Sequence, residues 1–222
     1  MKADLTLYYN AITVNSIKMT LLCHAMDIQP NFEHVVLHKA DEKSTLFLKL
    51  NPQGRVPVLV DGSMVLSESN AILQYLAHKY RSPLWPSEFS TQAETLKWLF
   101  WLSGNWNQTL GAFAHRRVIL PHWGFGDHQA LSQGHMDSFH GLMGQIDQHL
   151  NDKPFLVGED ITIADISLGS YLMFTEEAQI PLESYGNVSR WHTLISDTNW
   201  WQKTRQALAV SLGHSTHKQA TV

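Results

Sequence analysis

Two residue pairs in this chain could together hold a short acidic peptide: Val56-Pro57 and Glu68-Ser69. Val56 to Val60 is an apolar, β-branched run interrupted only by Pro57, and it reads as a strand. Pro57 stands at the start of that run, where a missing N–H is tolerated, and an X-Pro bond adopts the cis form at little cost. With Pro57 cis, the N–H and C=O of Val56 are expected to stand unpaired at a strand edge. Asp61-Gly62 then signals a hairpin, because its turn requires positive φ, and Met64 to Leu66 is the returning strand. Ser67 is the expected N-cap of the next helix, whose apolar residues Ile72, Leu73 and Leu76 recur at helical spacing. The helix start at Glu68-Ser69 offers free N–H groups and a positive dipole end, both of which attract a carboxylate. A backbone edge beside an anion site suits an extended acidic peptide. The plainer alternative is a hairpin followed by a surface helix.

The elements that must position these pairs begin with a strand at Leu5 to Tyr9 and a helix at Ile17 to Met26. A second strand follows at Phe32 to Leu37, then a short helix at Asp41 to Leu50 with Leu46, Leu48 and Leu50 available for burial. The resulting order β-α-β-α-β-β-α predicts a thioredoxin-like domain over residues 1–80, with a parallel pair first and an antiparallel hairpin last. Residues 81–90 (RSPLWPSEFS) read as a linker. Beyond it strand signals stop, which predicts an all-α domain over 91–222. Its helices are expected at Thr91 to Ile119, His128 to Leu150, Thr162 to Glu177, Val188 to Ile195 and Thr198 to Val210, with a frayed tail from Ser211. Thr162 and Asp165 have capping-box spacing, with Asp in place of the commoner Glu.

Val-Pro, a hairpin and Glu-Ser opening a helix resemble the glutathione-binding half of the cytosolic glutathione transferases, and the Thr162 to Asp165 segment resembles the capping element of their helical domain. The resemblance implies the glutathione transferase fold, α+β followed by all-α. It also implies that the Val56 backbone, beside Pro57, pairs with the cysteinyl part of glutathione while Glu68 and Ser69 hold the γ-glutamyl carboxylate. Arg55 takes a place from which a side chain can reach the glycine carboxylate, and is equally compatible with an exposed arginine. Glutathione is therefore the implied co-substrate, with no metal.

Glutathione is mostly thiol at neutral pH, and its thiolate is the nucleophile, so an enzyme must lower that pKa. In this fold the turn after the first strand does so, and Thr13 stands where serine-type members place their hydroxyl. Thr13-x-Asn15-x-x-Lys18, with a helix following, resembles the bacterial Nu class, although Val14 and Ser16 replace that class's usual Pro and Gly. Thr13 and Asn15 are the catalytic candidates. Tyr8 and Tyr9 remain rivals, and Asn15 or Ser16 could simply cap the first helix. No arginine occurs between Arg117 and Arg190, so one that some Nu members supply is missing; His115, Arg116 and Arg117 are possible replacements. Trp106, Phe113, His115 and Arg116 are candidate walls for a second substrate, with core packing or a dimer interface as the alternative, favoured for Trp98 and Trp101.

Composition narrows the function. An apolar share of 44% with 16% charged residues argues against disorder. A net charge of −4 without a basic stripe argues against nucleic acid. No run approaches a membrane span, no leader pattern opens the chain, and the scattered histidines show no zinc spacing. Cys23 is the one cysteine, flanked by apolar residues, so it is expected buried and inert, and the protein cytoplasmic. The expected function is a glutathione-dependent homodimeric enzyme, conjugating small electrophiles or reducing small disulfides and peroxides. The alternative is a non-catalytic binding or structural protein on the same fold.

Overall fold

The computed structural model describes residues 2–37, 42–125 and 131–213. Its first half is β1 (Lys2–Tyr9), α1 (Val14–Met26), β2 (Gln29–His34), α2 (Glu42–Leu50), β3 (Val58–Asp61), β4 (Met64–Leu66) and α3 (Ser69–Lys79). The sheet order is β2-β1-β3-β4, with β1 parallel to β2 and the other pairs antiparallel. This is the thioredoxin-like arrangement. Gly62, at φ +59°, closes the β3–β4 hairpin as the Asp-Gly signal requires.

Alternation along β1 sends Leu5 and Leu7 to one face and Tyr8 to the other. Leu5, Leu7 and Leu59 join the main core with α1 and α3, whereas Tyr8 packs with Val35, Phe47 and Val58 under α2. Here the sequence expectation needs correcting: Leu46 is 65% and Leu48 45% exposed, and Phe47 between them is buried. Leu46, Leu48 and Leu50 follow a strand period, whereas Phe47 and Leu50 share one helical face. The second strand also lies earlier than expected, because Asp27 ends α1 in the left-handed region and Ile28 leads directly into β2.

The second half is helical: α4 (Phe89–Ala114), a π-helical turn (His115–Ile119), α5 (Leu120–His122), α6 (Gln133–His149), α7 (Ile163–Leu172), α8 (Gly186–Ser196) and α9 (Asn199–Ser211). Pro121 has no N–H to give the carbonyl four residues back. The ladder widens just before it, and Leu120 N–H bonds His115 O. The expected positions 38–41, 126–130 and 214–222 lie outside the described residues. Central α7, wholly buried, packs on α1, α3 and α4, and α9 lies along α1. Gly169 of α7 leaves room for Trp201 of α9, since a Cβ there would meet Trp201 Cζ3 at 2.9 Å. Asp165 caps α7 as predicted, and one apolar core runs from the sheet through α1 into the helices.

Candidate functional site

Asn10, buried at the end of β1, folds the turn into α1. Its backbone N–H donates to Ser16 Oγ at 3.1 Å and its side-chain amide to Val35 O at 3.0 Å. Its carbonyl accepts from Thr13 N–H at 3.1 Å. Thr13 is the N-cap of α1 but makes no side-chain cap bond. Its hydroxyl lies instead 3.2 Å from Asn10 O and 2.9 Å from Ser16 Oγ. Ser16 therefore serves the turn and does not cap the helix.

The stretch before β3 is folded by Asn51, also buried. Its Oδ1 accepts from Gln53 N–H at 3.2 Å, an Asx turn, and its amide donates to Arg55 O at 2.8 Å. The Val56–Pro57 bond is cis, and neither the N–H nor the C=O of Val56 has a hydrogen-bond partner among the described residues. Sequence reasoning missed both asparagines. The Asn51-Pro52-Gln53-Gly54 pattern was the available signal for one; Asn10 acts through contacts distant in sequence and left none.

At the head of α3 the N-cap is Glu68, at φ +69°, ψ +108°, with no side-chain cap bond. The expected Ser67 cap is thus displaced by one residue, because the chain turns sharply at Glu68. Ser69 Oγ donates to Asn15 Oδ1 at 3.3 Å, and the buried Lys18 lies 3.4 Å from the same hydroxyl.

A cleft of about 470 Å³ brings together Thr13, Asn15, Arg55 and Val56 with Asn107 and His115. Glu68, Ser69 and Pro57 do not line it; Ser69 joins it through its bond to Asn15. Tyr8 and Tyr9 do not line it either. Tyr8 packs under α2, and Tyr9 lines a separate cavity of about 410 Å³ between α1 and α9. Of the proposed second-substrate walls, Trp106 and Phe113 are fully buried core residues. Of the four candidates, His115 does line the cleft and Arg116 does not; His115 shares its wall with Asn107, Gly111 and Ile119, four residues apart on one helix face, so Trp106 misses it by one helical step. Arg117 is engaged elsewhere, donating to Ala178 O and Gln179 O and stacking over Phe113.

The site's titratable groups are shaped mainly by burial. Burial lowers His115, helped by neighbouring Arg116. It also lowers Lys18 to about 7, against the opposing pull of Glu68. Cys23 is buried, free and pushed up to about 12, so it is not a nucleophile at neutral pH. Among the described residues no three His, Cys, Asp or Glu side chains gather as metal ligands, and no helix is long and apolar enough to cross a membrane.

Comparison with known proteins bears on what this cleft serves. Family models described as the N-terminal and C-terminal domains of glutathione S-transferase match residues 3–78 and 129–193. Disulfide-bond oxidoreductase YfcG of Escherichia coli is 31% identical over 197 residues, covering 84% of this chain and 88% of that protein. Mouse glutathione S-transferase theta-2 is 31% identical over 182 residues, covering 81% and 71%. Among solved structures, glutathione S-transferase III in its apo form superposes with a TM-score of 0.80 at 27% identity, covering 93% of this chain and 97% of the other. Human glutathione transferase theta-2, in complex with glutathione and an unknown ligand, gives 0.77 at 26%, covering 93% and 88%.

Proposed function

The chain belongs to the glutathione S-transferase family, and on that footing we propose that it is an enzyme that binds glutathione in the cleft and activates its thiol. The observation that carries this is the convergence of Thr13, Asn15, Arg55 and Val56 on one cleft, with Ser69 hydrogen-bonded to Asn15 behind it. The open Val56 backbone takes the cysteinyl unit, Glu68 and Ser69 take the γ-glutamyl end, and Arg55 takes the glycine carboxylate. The thiol then lies at the head of α1, where the helix dipole favours its anion.

Thr13 donates to that sulfur. Ser16 Oγ already accepts from Asn10 N–H, so rotating the Ser16 hydroxyl to donate to Thr13 Oγ1 frees the Thr13 proton for the ligand. Asn15 spends its Oδ1 on Ser69 and keeps its amide N–H groups for a second bond. A hydrogen bond to the charged form lowers the thiol pKa. His115, on the facing wall, stands in for the missing arginine. The Thr13-x-Asn15-x-x-Lys18 motif supports the finer assignment to the bacterial Nu class. Reduction of small disulfides is favoured as a second activity by the likeness to a bacterial protein named a disulfide-bond oxidoreductase.

A homodimer in which α3 of one copy faces α4 of the other goes with this reading, supported by Phe100 on α4, which is 75% exposed. So does a cytoplasmic location, with Cys23 free and buried, and a division into residues 1–80 and 91–222. The deciding experiment pairs retention on immobilised glutathione with turnover of a chromogenic electrophile and of a mixed disulfide. Retention with turnover supports the enzyme; retention with neither activity makes the protein a binding module; no retention removes glutathione altogether.

A further inference from the structure

Lys18 is carried into the core by α1 with no carboxylate beside it among the described residues. The residue is 1% exposed. Its Nζ lies 3.2 Å from Asn70 Oδ1 and 3.4 Å from Ser69 Oγ, and 5.2 Å from the centre of the Tyr171 ring. All three partners are neutral, and among the described residues no Asp or Glu comes within ion-pair distance. An ammonium held only by dipoles in a buried place is destabilised relative to the neutral amine. Burial accordingly brings Lys18 down to about 7, where both forms coexist near neutral pH.

Few other groups face it. Glu68, at the head of α3, is the charged group whose field reaches it, and Tyr171 presents its ring from α7. On α9, Lys203 acts on His24 and Arg205 is bound to Glu177. On α3, Lys79 pairs with Asp61, and on α4, Lys97 pairs with Glu94.

The partners of Lys18 are themselves fixed from both halves of the molecule. Asn70 donates to Leu99 O and Ser103 Oγ, each at 2.9 Å, and accepts from Ser167 Oγ at 3.1 Å. Ser69 reaches Asn15 in the cleft. A buried amine thus lies one hydrogen bond behind the residue assigned to the ligand's carboxylate.

We propose that Lys18 is a positioning residue for the acidic end of glutathione: it holds Ser69 and Asn70 at the head of α3, and the arriving carboxylate completes it as an ammonium, so that binding draws a proton from solution. This rests on the reading that the γ-glutamyl end sits at Glu68-Ser69. A carboxylate there favours the charged amine, so the Lys18 pKa is higher in the complex than in the free protein. Affinity then falls as pH rises above neutral, by at most about tenfold per pH unit.

Titration calorimetry of the full chain with S-methylglutathione tests this, because that ligand keeps both carboxylates and has no thiol to ionise. Binding in phosphate and in Tris, at about pH 8, should differ in enthalpy by uptake of on the order of one proton. Lys18→Met should bind about tenfold more weakly without uptake. Lys18→Arg, charged throughout, should bind without uptake even if Lys18→Met fails to fold. Binding by the unaltered protein without uptake would overturn the inference. Uptake that persists in either variant would also overturn it, and would point to His115. If S-methylglutathione does not bind the unaltered protein at all, the reading beneath falls first and takes this inference with it.

Discussion

The head of α7 and the head of α3 solve the same problem differently. At α7, Thr162 Oγ1 accepts from Ala164 N–H at 3.2 Å, and Asp165 Oδ2 accepts from Thr162 N–H at 2.8 Å. The second oxygen of Asp165 takes Leu156 N–H and Trp191 Nε1–H, both at 2.9 Å. Burial pushes this carboxyl up from the ordinary aspartate range, while four donors pull toward its ionised form. At α3 there is no side-chain cap, the N-cap is an exposed glutamate at positive φ, and the first side chain inside turns toward the cleft. Free N–H groups at a helix start are normally satisfied by caps, water or ligands. One start is closed by its own side chains; the other is not, and on the proposed reading the ligand closes it.

Breaking the closed start should cost most. Loss of half a cap alone costs about 1–2 kcal/mol. Asp165 also satisfies Leu156 and the Trp191 indole, so Asp165→Ala leaves buried donors without partners and should destabilise by about 3–5 kcal/mol. Urea unfolding checks this, and whatever fraction remains folded should bind glutathione normally. A loss of only about 1 kcal/mol would mean that water replaces the carboxylate.

The open start should respond in binding and not in folding. Ser69→Ala removes a charge-assisted contact and should weaken glutathione binding by about 1.5–3 kcal/mol, with Glu68→Gln acting in the same direction. The melting midpoint should change little, because Lys18 Nζ keeps Asn70 Oδ1 when the Ser69 hydroxyl goes. A midpoint that drops as far as the affinity does would make α3 an ordinary structural helix start and erase the contrast with α7.

The legibility of the two regions in the sequence differs for the same reason. The Thr162–Asp165 box is local chemistry, so spacing alone predicts it. The hairpin was equally plain, since Asp61-Gly62 leaves few alternatives. The head of α3 was misplaced by one residue because a positive φ at a glutamate has no propensity signature. The α2 leucines were misjudged because a run dense in leucine fits two periods at once, and only the sheet above Phe47 decides between them. At the cleft, Thr13, Asn15, Arg55 and Val56 were legible through motif order. Of the facing helix wall only His115 was; Asn107 and Gly111 were not, since polar and small residues on a long helix look like solvent face until the sheet half of the molecule covers them.

A third start, that of α1, extends the comparison to chemistry. Thr13 is its N-cap without a cap bond, and its hydroxyl, held by Asn10 O and Ser16 Oγ, can turn its proton to the ligand once Ser16 donates in its place. Thr13→Val keeps the shape and removes the donor. The pKa of the bound thiol should rise and turnover at neutral pH should fall about tenfold, with affinity nearly unchanged. Ultraviolet titration of the bound thiolate reads this directly. Tyr8→Phe and Tyr9→Phe should be silent, because both rings lie away from the cleft. If either tyrosine variant reproduces the Thr13→Val result, the assignment of the sulfur donor moves to β1.

The smallest effect is the most direct test of whether the open start is held open at a cost. Glu68 at φ +69°, ψ +108° lies where an L side chain is disfavoured. Such strain is of order 1–3 kcal/mol and persists where surrounding structure imposes it. Glu68→Gly removes the Cβ that causes the strain but makes the unfolded chain more flexible, which takes back about 0.5–1 kcal/mol. The net gain should be about 0.5–1 kcal/mol, seen as a melting midpoint about 1–4 °C higher. Glutathione affinity should fall in the same variant, because the carboxylate is gone. Glu68→Ala separates the two effects: it loses the carboxylate but keeps the Cβ, so affinity should fall with no gain in midpoint. Should Gly and Ala shift the midpoint alike, the backbone at Glu68 stores nothing, and the difference between α3 and α7 lies only in their hydrogen bonds.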